Sequence, residues 1–209
     1  MPLSESDKTA AGLMNLGADY SLSGRALEDA KNSGSLHLGY GHPISLLYAH
    51  GLELCLKAAL LWERPQIDMT KYNHDLIALY DDARKFSALK DALSICEKEV
   101  RSRWRNYLRA ARDRHAPEWL TEQDDDLARL LGVYDNATIG SELPELREAI
   151  LWFNERHKSG GSQFRYLKVG LDQAPFIRAF GLNDCVPWRS AEWACNFLQG
   201  HFRKNYRRD

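Results

Sequence analysis

The feature that most constrains the fold is the apolar stretch PISLLYAHGLELCLKAALLW at positions 43–62. A run that is apolar on nearly every face predicts a helix buried at the centre of a bundle. Three polar residues interrupt this run, His50, Glu53 and Lys57, and their spacing places them on one stripe of the helix. Because unpaired buried charge is costly, the stripe must face either polar partners inside the protein or a functional cleft.

Length and composition favour one domain without an overall attraction to nucleic acid or membranes. The 209 residues can bury a substantial core, so we predict a single domain over 1–209, and the formal net charge is only −1. The chain begins without a signal-peptide pattern, and the charges within 43–62 favour a core helix over a membrane span. We therefore expect a cytoplasmic protein that does not enter the membrane.

The cysteines give no indication of a metal centre or a disulfide framework. They form no CxxC motif and have no metal-like spacing with histidine; they are Cys55, Cys96, Cys185 and Cys195. We accordingly predict no metal and no cofactor, with Cys55 as a small apolar residue buried on the central helix.

Apolar periodicity predicts an all-α bundle of about six to seven helices around the central helix 43–62. Ser4 or Ser6 is expected to cap the first helix, which has a predicted break near 21–24, and Asn73 is expected to cap the third. No internal repeat and no βαβ pattern is found. The predicted helices lie at 4–31, 43–62, from Asn73 onward, 88–115, from Thr121 onward, 143–157 and 188–206.

Three short segments together form a pattern found in a known family. In chain order they are Glu-Leu-Cys-Leu-Lys-Ala-Ala-Leu at 53–60, His-Asp-Leu at 74–76 and Phe-Arg-Tyr at 164–166. Together they resemble the HEPN superfamily, small helical-bundle proteins named for nucleotide binding in higher eukaryotes and prokaryotes. The core motifs lie at 19–85 and 160–170, with 88–158 as helical elaboration of the bundle. The resemblance implies a helical bundle, frequent homodimerisation, and a nucleotide, an RNA phosphate or a partner protein as ligand.

The same superfamily includes metal-independent ribonucleases, many of them toxins of toxin–antitoxin pairs or defence effectors, with the signature Arg-x4-His. None of the residues five positions before the seven histidines is arginine. Other HEPN-like proteins lack this signature and act as binding or partner modules. We therefore predict a binding module, with a divergent metal-independent ribonuclease that uses His50 or His74 with Lys57 and Arg165 as the alternative.

The predicted ligand site combines the polar stripe with the two short motifs; its residues are Glu53, Lys57, His74, Asp75, Arg165 and Tyr166. Structural roles also explain these residues. Glu53 and Lys57 can form an internal ion pair, Asp75 can complement a helix dipole, and the 164–166 segment can fill the core. A His74 imidazole that reaches Glu53 would satisfy both groups and would be able to act as a general base.

A second candidate surface is a basic stripe on helix 88–115. Its arginines fall within about 80° of one another by the helical period; they are Arg101, Arg105, Arg109 and Arg112. Trp104 and Tyr107 beside them are able to stack on bases, although their apolar arc favours the core. Glu97, Glu99 and the acidic run 124–126 can neutralise the stripe, so a nucleic-acid surface and a salt-bridged face both remain open.

Overall fold

The computed structural model describes the backbone of residues 4–36, 42–115, 145–157 and 182–206, and the side chains of 4–36, 43–106, 145–155, 157 and 187–204. Over these residues it contains α-helices and no strand, which confirms the predicted all-α helical bundle. The helices are α1 (Glu5–Asn32), α2 (His42–Glu63), α3 (Leu76–Ala83), α4 (Ser87–His115), α5 (Leu146–His157) and α6 (Leu182–Tyr206), with a 3-10 turn at Met69–Tyr72.

The central helix of the bundle is α2, as the apolar run predicts. It packs against α1, α3, α5 and α6, and its Tyr48, Leu52 and Leu56 are buried. By length and composition the stretch Pro43–Glu63 is apolar enough to cross a membrane, but 72% of its apolar window lies buried inside the bundle. Burial by the other helices therefore accounts for the apolar character of α2. Cys55 is fully buried on this helix, as expected.

Glycines bring α1 unusually close to α2. A Cβ atom added at Gly17 would lie 2.8 Å from the carbonyl oxygen of Gly51, and one added at Gly51 would lie 2.8 Å from the carbonyl oxygen of Gly17. The predicted break near Ser21–Gly24 is wrong, since α1 runs without interruption from Glu5 to Asn32. Ser21 and Gly24 are buried, so their small size serves helix packing instead of helix termination.

The two predicted helix caps have opposite outcomes. Ser4 caps α1 through a capping box, in which its hydroxyl accepts from the Asp7 N–H and the Asp7 carboxylate accepts from the Ser4 N–H. Asn73 does not cap α3; it ends the preceding 3-10 turn with a left-handed φ of 40°. Asp75 caps α3 instead, because its Oδ1 accepts from the Ala78 N–H at 3.0 Å.

The later helices close the bundle over α2. Leu146, Ile150 and Phe153 of α5 are buried as predicted, although α5 begins at Leu146 and Leu143 lies outside the described residues. The last helix begins at 182, earlier than the predicted 188, and includes Pro187 near its start. The helix predicted from Thr121 onward also lies outside the described residues.

A buried polar network joins α6 to α1 and α2. Arg189 donates to Glu28 at 2.7 Å, and the Tyr48 hydroxyl donates to the other oxygen of Glu28 at 3.0 Å. Glu28 and Arg189 are 3% and 8% exposed, so these contacts satisfy charges that water does not reach. Two indole N–H groups add cross-links, from Trp188 to Ser45 and from Trp104 to Ser190. These polar contacts fix the position of α6 against the core.

A polar cluster around Glu53

Glu53 lies in the middle of α2, where its side chain is only 2% exposed. The Lys57 Nζ lies 2.6 Å from its Oε1, and the His157 Nε2 lies 2.8 Å from its Oε2. The His74 Nδ1 lies 3.0 Å from the same Oε2. His50 completes the group, with its Nδ1 3.4 Å from Oε2. We refer to His50, Glu53, Lys57, His74 and His157 as the Glu53 cluster.

The helical period of α2 supplies the first members of the Glu53 cluster. His50, Glu53 and Lys57 are three and four residues apart, so they lie on one stripe of the helix. The structure places this stripe against the start of α3 and the end of α5, where His74 and His157 meet it. The polar stripe predicted from sequence is thus satisfied by partners from two other parts of the bundle.

His74 reaches Glu53 from an unusual backbone turn. Asn73 and His74 both have positive φ, 40° and 70°, which is uncommon for residues other than glycine. Such conformations cost on the order of 1–3 kcal/mol each and persist only where the surroundings enforce them. The bond from His74 to Glu53 is one such restraint. A second restraint lies two residues after His74, where the Leu76 N–H donates to the Asn154 side chain of α5 at 2.8 Å.

His157 is the member of the cluster that the sequence analysis did not select. Its side chain is fully buried at the C-terminal end of α5. One signal was present in the sequence, because His157 continues the apolar spacing set by Leu146, Ile150 and Phe153 on the same face of α5. A histidine on a buried arc needs a polar partner, and the buried Glu53 of the central helix provides it.

The Glu53 cluster is closed on one side and open on the other. The side chains of His50 and His74 are 26% and 27% exposed, and that of Lys57 is 17% exposed. The side chains of Glu53 and His157 lie behind them and are 2% and 0% exposed. A molecule that approaches from solvent can therefore touch two imidazoles and one ammonium group, whereas the carboxylate and the third imidazole form the floor.

Burial and polar contacts with neighbouring side chains act in opposite directions on the pKa values of the groups in the floor. Burial alone would raise the pKa of Glu53, but the contacts from His157, His50, His74 and Lys57 outweigh it and hold that pKa well below its usual range. Burial lowers the pKa of His157 below the ordinary imidazole value, although the bond to Glu53 opposes this change. At neutral pH the floor therefore contains an ionised carboxylate beside a neutral imidazole.

The other predicted ligand residues fall into two groups. Asp75 is engaged as the cap of α3, which accounts for its place at the helix start, and its role at the ligand site stays a prediction. Arg165 and Tyr166, with Phe164, lie outside the described residues. The pairing of Glu53 with Lys57 and with His74 is present in the structure as the sequence analysis anticipated.

The basic stripe of α4 is partly occupied by contacts within the protein. Arg101 donates to Glu145 at 2.9 Å, and Arg105 is half-buried. Two acidic residues that could have neutralised the stripe pair elsewhere, Glu97 with Arg84 and Glu99 with Arg103. The side chains of Arg109 and Arg112 lie outside the described residues. A nucleic-acid surface on α4 therefore stays a prediction.

No family model, curated protein or solved structure matches the chain. The HEPN resemblance consequently stays a prediction that depends on the sequence motifs at 53–60, 74–76 and 164–166. The homodimer, the partner protein and the cytoplasmic location that were expected from the sequence remain predictions.

We expect Lys57→Ala to lower the free energy of unfolding by about 1.5–3 kcal/mol, because it removes a charged hydrogen bond to a buried carboxylate. Lys8→Ala is the matched control, since Lys8 lies at the same 2.6 Å from Glu5 but is 57% exposed. A loss below about 1 kcal/mol is expected there. Chemical denaturation of both variants measures the difference, and equal losses would contradict a buried role for Lys57.

Proposed function

We propose that the protein is a HEPN-like binding module and that its ligand carries phosphate, as a nucleotide or an RNA does. The observation that supports this proposal is the open side of the Glu53 cluster, where Lys57, His50 and His74 are accessible from solvent. Ammonium and imidazole N–H groups are suitable donors to phosphate oxygens, and charge-assisted bonds of this kind are among the stronger ones in proteins.

The buried part of the cluster supports a preorganised site. Glu53 holds Lys57 and His74 at 2.6 Å and 3.0 Å, so their side chains need little further ordering when a ligand arrives. His157 fixes the carboxylate from below at 2.8 Å. Lys57 has only limited exposure, so a phosphate group would contact it in a sheltered position where water competes poorly.

A divergent metal-independent ribonuclease is the second candidate, and one observation favours it. Three imidazoles converge on a single carboxylate, and those of His74 and His157 lie within hydrogen-bond reach of it, which groups candidate general acids and bases in one place. The absence of the Arg-x4-His signature from the sequence favours the binding module over this enzyme.

The binding proposal is tested with a short fluorescein-labelled single-stranded RNA, followed by anisotropy in the presence of EDTA, with ATP as a competitor. We expect saturable binding by the unmodified protein and about tenfold weaker binding by Lys57→Met, equivalent to about 1.4 kcal/mol. Lys71→Met is the matched control, because Lys71 pairs with Asp82 on the exposed surface. Circular dichroism establishes that each variant is folded at the temperature of the assay.

Two results would contradict the binding proposal: no saturable binding of either probe, or equal weakening by Lys57→Met and Lys71→Met. Incubation with total RNA in EDTA addresses the alternative. Cleavage by the unmodified protein that is lost in His74→Asn would identify an enzyme, and RNA that stays intact would exclude the metal-independent ribonuclease.

A further inference from the structure

We propose that the Glu53 cluster binds a divalent transition-metal ion, with Zn²⁺ preferred, through His50, Glu53, His74 and His157. One ligand atom from each of these residues lies within 4.8 Å of all the others. This proposal departs from the prediction of no metal, which considered the cysteines and their spacing. It goes beyond the proposed binding of phosphate and does not depend on it.

The distances from the Glu53 carboxylate to the three imidazole nitrogens are close to those between the ligands of a small tetrahedral ion. Oε2 of Glu53 lies 2.8 Å from His157 Nε2, 3.0 Å from His74 Nδ1 and 3.4 Å from His50 Nδ1. Bonds of about 2.1 Å from Zn²⁺ to nitrogen and oxygen place tetrahedral ligands roughly 3.4 Å apart. Small side-chain movements are therefore sufficient for an ion to take the place of the direct contacts between imidazoles and carboxylate.

The Nδ1 atom of His50 provides a separate observation that points to a ligand. This atom is buried and has no hydrogen-bond partner, because its 3.4 Å approach to Glu53 lacks suitable geometry. A buried polar atom without a partner is costly and needs an explanation. A bond from this nitrogen to a metal ion would satisfy it, and the atom already faces the shared carboxylate oxygen.

Residues next to the four ligands hold them in place. Lys57 donates to Oε1 of Glu53 at 2.6 Å, which orients the carboxylate and leaves Oε2 for the ion. Asn154 lies one turn before His157 on α5 and accepts from the Leu76 N–H at 2.8 Å, two residues after His74. This bond joins two segments that each supply a ligand. Metal sites depend on such supporting contacts for their geometry.

The donor set decides the class of ion. Three imidazoles and one carboxylate suit Zn²⁺ and its neighbours in the first transition row, whereas Mg²⁺ and Ca²⁺ prefer oxygen ligands. Four protein ligands are typical of structural Zn²⁺ sites in particular, and the four ligand atoms here lie within 4.8 Å of one another. The partial exposure of His50 and His74 gives the ion a path of entry from solvent.

The test uses the full chain with any affinity tag removed and bound metal stripped by a chelator. Zn²⁺ affinity is measured by competition with a chromophoric chelator, and Co²⁺ reports the geometry through the visible absorption of its tetrahedral complexes. The ligand variants are His50→Gln and His74→Gln, chosen because both side chains are about a quarter exposed, whereas Glu53 and His157 are fully buried. His201→Gln is the matched control, a half-buried histidine on α6 outside the cluster.

We expect one Zn²⁺ per chain, a tetrahedral Co²⁺ spectrum, and affinity reduced more than about 100-fold in each ligand variant. Lys57→Met should weaken binding about 10- to 100-fold, because it removes the contact that orients Glu53. His201→Gln should bind as the unmodified protein does. Zn²⁺ should also raise the melting temperature of the unmodified protein and the control, but not that of the ligand variants.

Three outcomes would overturn the metal site: no stoichiometric Zn²⁺ binding, an octahedral Co²⁺ spectrum, or unchanged affinity in both His50→Gln and His74→Gln. Melting curves recorded without metal show that each variant is folded before its affinity is interpreted. Because the ion alone is the probe, and RNA binding is measured in EDTA, failure of the metal site and failure of phosphate binding are separate results.

Discussion

Replacement of Glu53 by alanine is expected to lower the free energy of unfolding by about 3–5 kcal/mol, because it leaves buried polar partners without their shared acceptor. Lys57 would lose a bond of 2.6 Å and His157, which is fully buried, a bond of 2.8 Å. The His74 turn would also lose a restraint on its left-handed backbone. The decrease in stability comes from these lost contacts with the carboxylate more than from the small volume that alanine leaves empty.

Urea denaturation in the presence of EDTA measures the effect of Glu53→Ala without any contribution from bound metal. Glu99→Ala is the matched control, since Glu99 pairs with Arg103 on the surface and is 42% exposed. Glu99→Ala should lower the free energy of unfolding by less than about 1 kcal/mol. Glu53→Gln keeps the shape and one acceptor oxygen, so it should fall between the two. Equal stability of Glu53→Ala and Glu99→Ala would refute the central place that we give to Glu53.

The close contact of α1 with α2 leads to the second large effect. We expect Gly51→Ala to destabilise the protein by about 1–3 kcal/mol, because its Cβ would lie 2.8 Å from the carbonyl oxygen of Gly17. That oxygen belongs to the backbone of α1, so it moves only if the helix moves. The gain in helix propensity from alanine is smaller than the cost of separating two packed helices.

Gly12→Ala is the matched control for the helix contact. Gly12 is also on α1, but a Cβ at this position meets nothing within 4 Å. Alanine should therefore stabilise the protein by about 0.5–1 kcal/mol through helix propensity alone. Thermal and chemical denaturation should give opposite signs for the two substitutions. A stabilising Gly51→Ala would mean that the two helices are not in close contact.

The sequence predicted the central helix and its polar stripe because both depend on local periodicity. An apolar run of this length has few alternatives to a buried helix, and the spacing of His50, Glu53 and Lys57 fixes their common face. The break near Ser21–Gly24 was predicted wrongly, since small residues end helices in water but also permit close packing. Which role applies depends on the neighbouring helix, and local sequence does not contain that information.

The site was predicted in part for the same reason. His74 was assigned to Glu53 because its motif begins the next helix, and that contact is present. His157 was not assigned, because it joins the cluster only through the docking of α5 onto α2. The choice of Asn73 as the cap of α3 was wrong because the chain makes a left-handed turn at Asn73 and His74 first. Asp75 is then the residue in position to cap the helix.

The contact between His157 and Glu53 has a consequence for how the chain reaches its native state. Glu53 is synthesised 104 residues before His157, and α5, which supplies His157, emerges from the ribosome only after α3 and α4. Contacts between segments distant in sequence tend to form late in folding, because the entropy cost of closing a long loop comes before the contact energy is gained. The Glu53 carboxylate therefore has no contact with His157 until that later segment has been synthesised. We therefore expect the Glu53 cluster to be completed late in folding, when α5 docks onto α2.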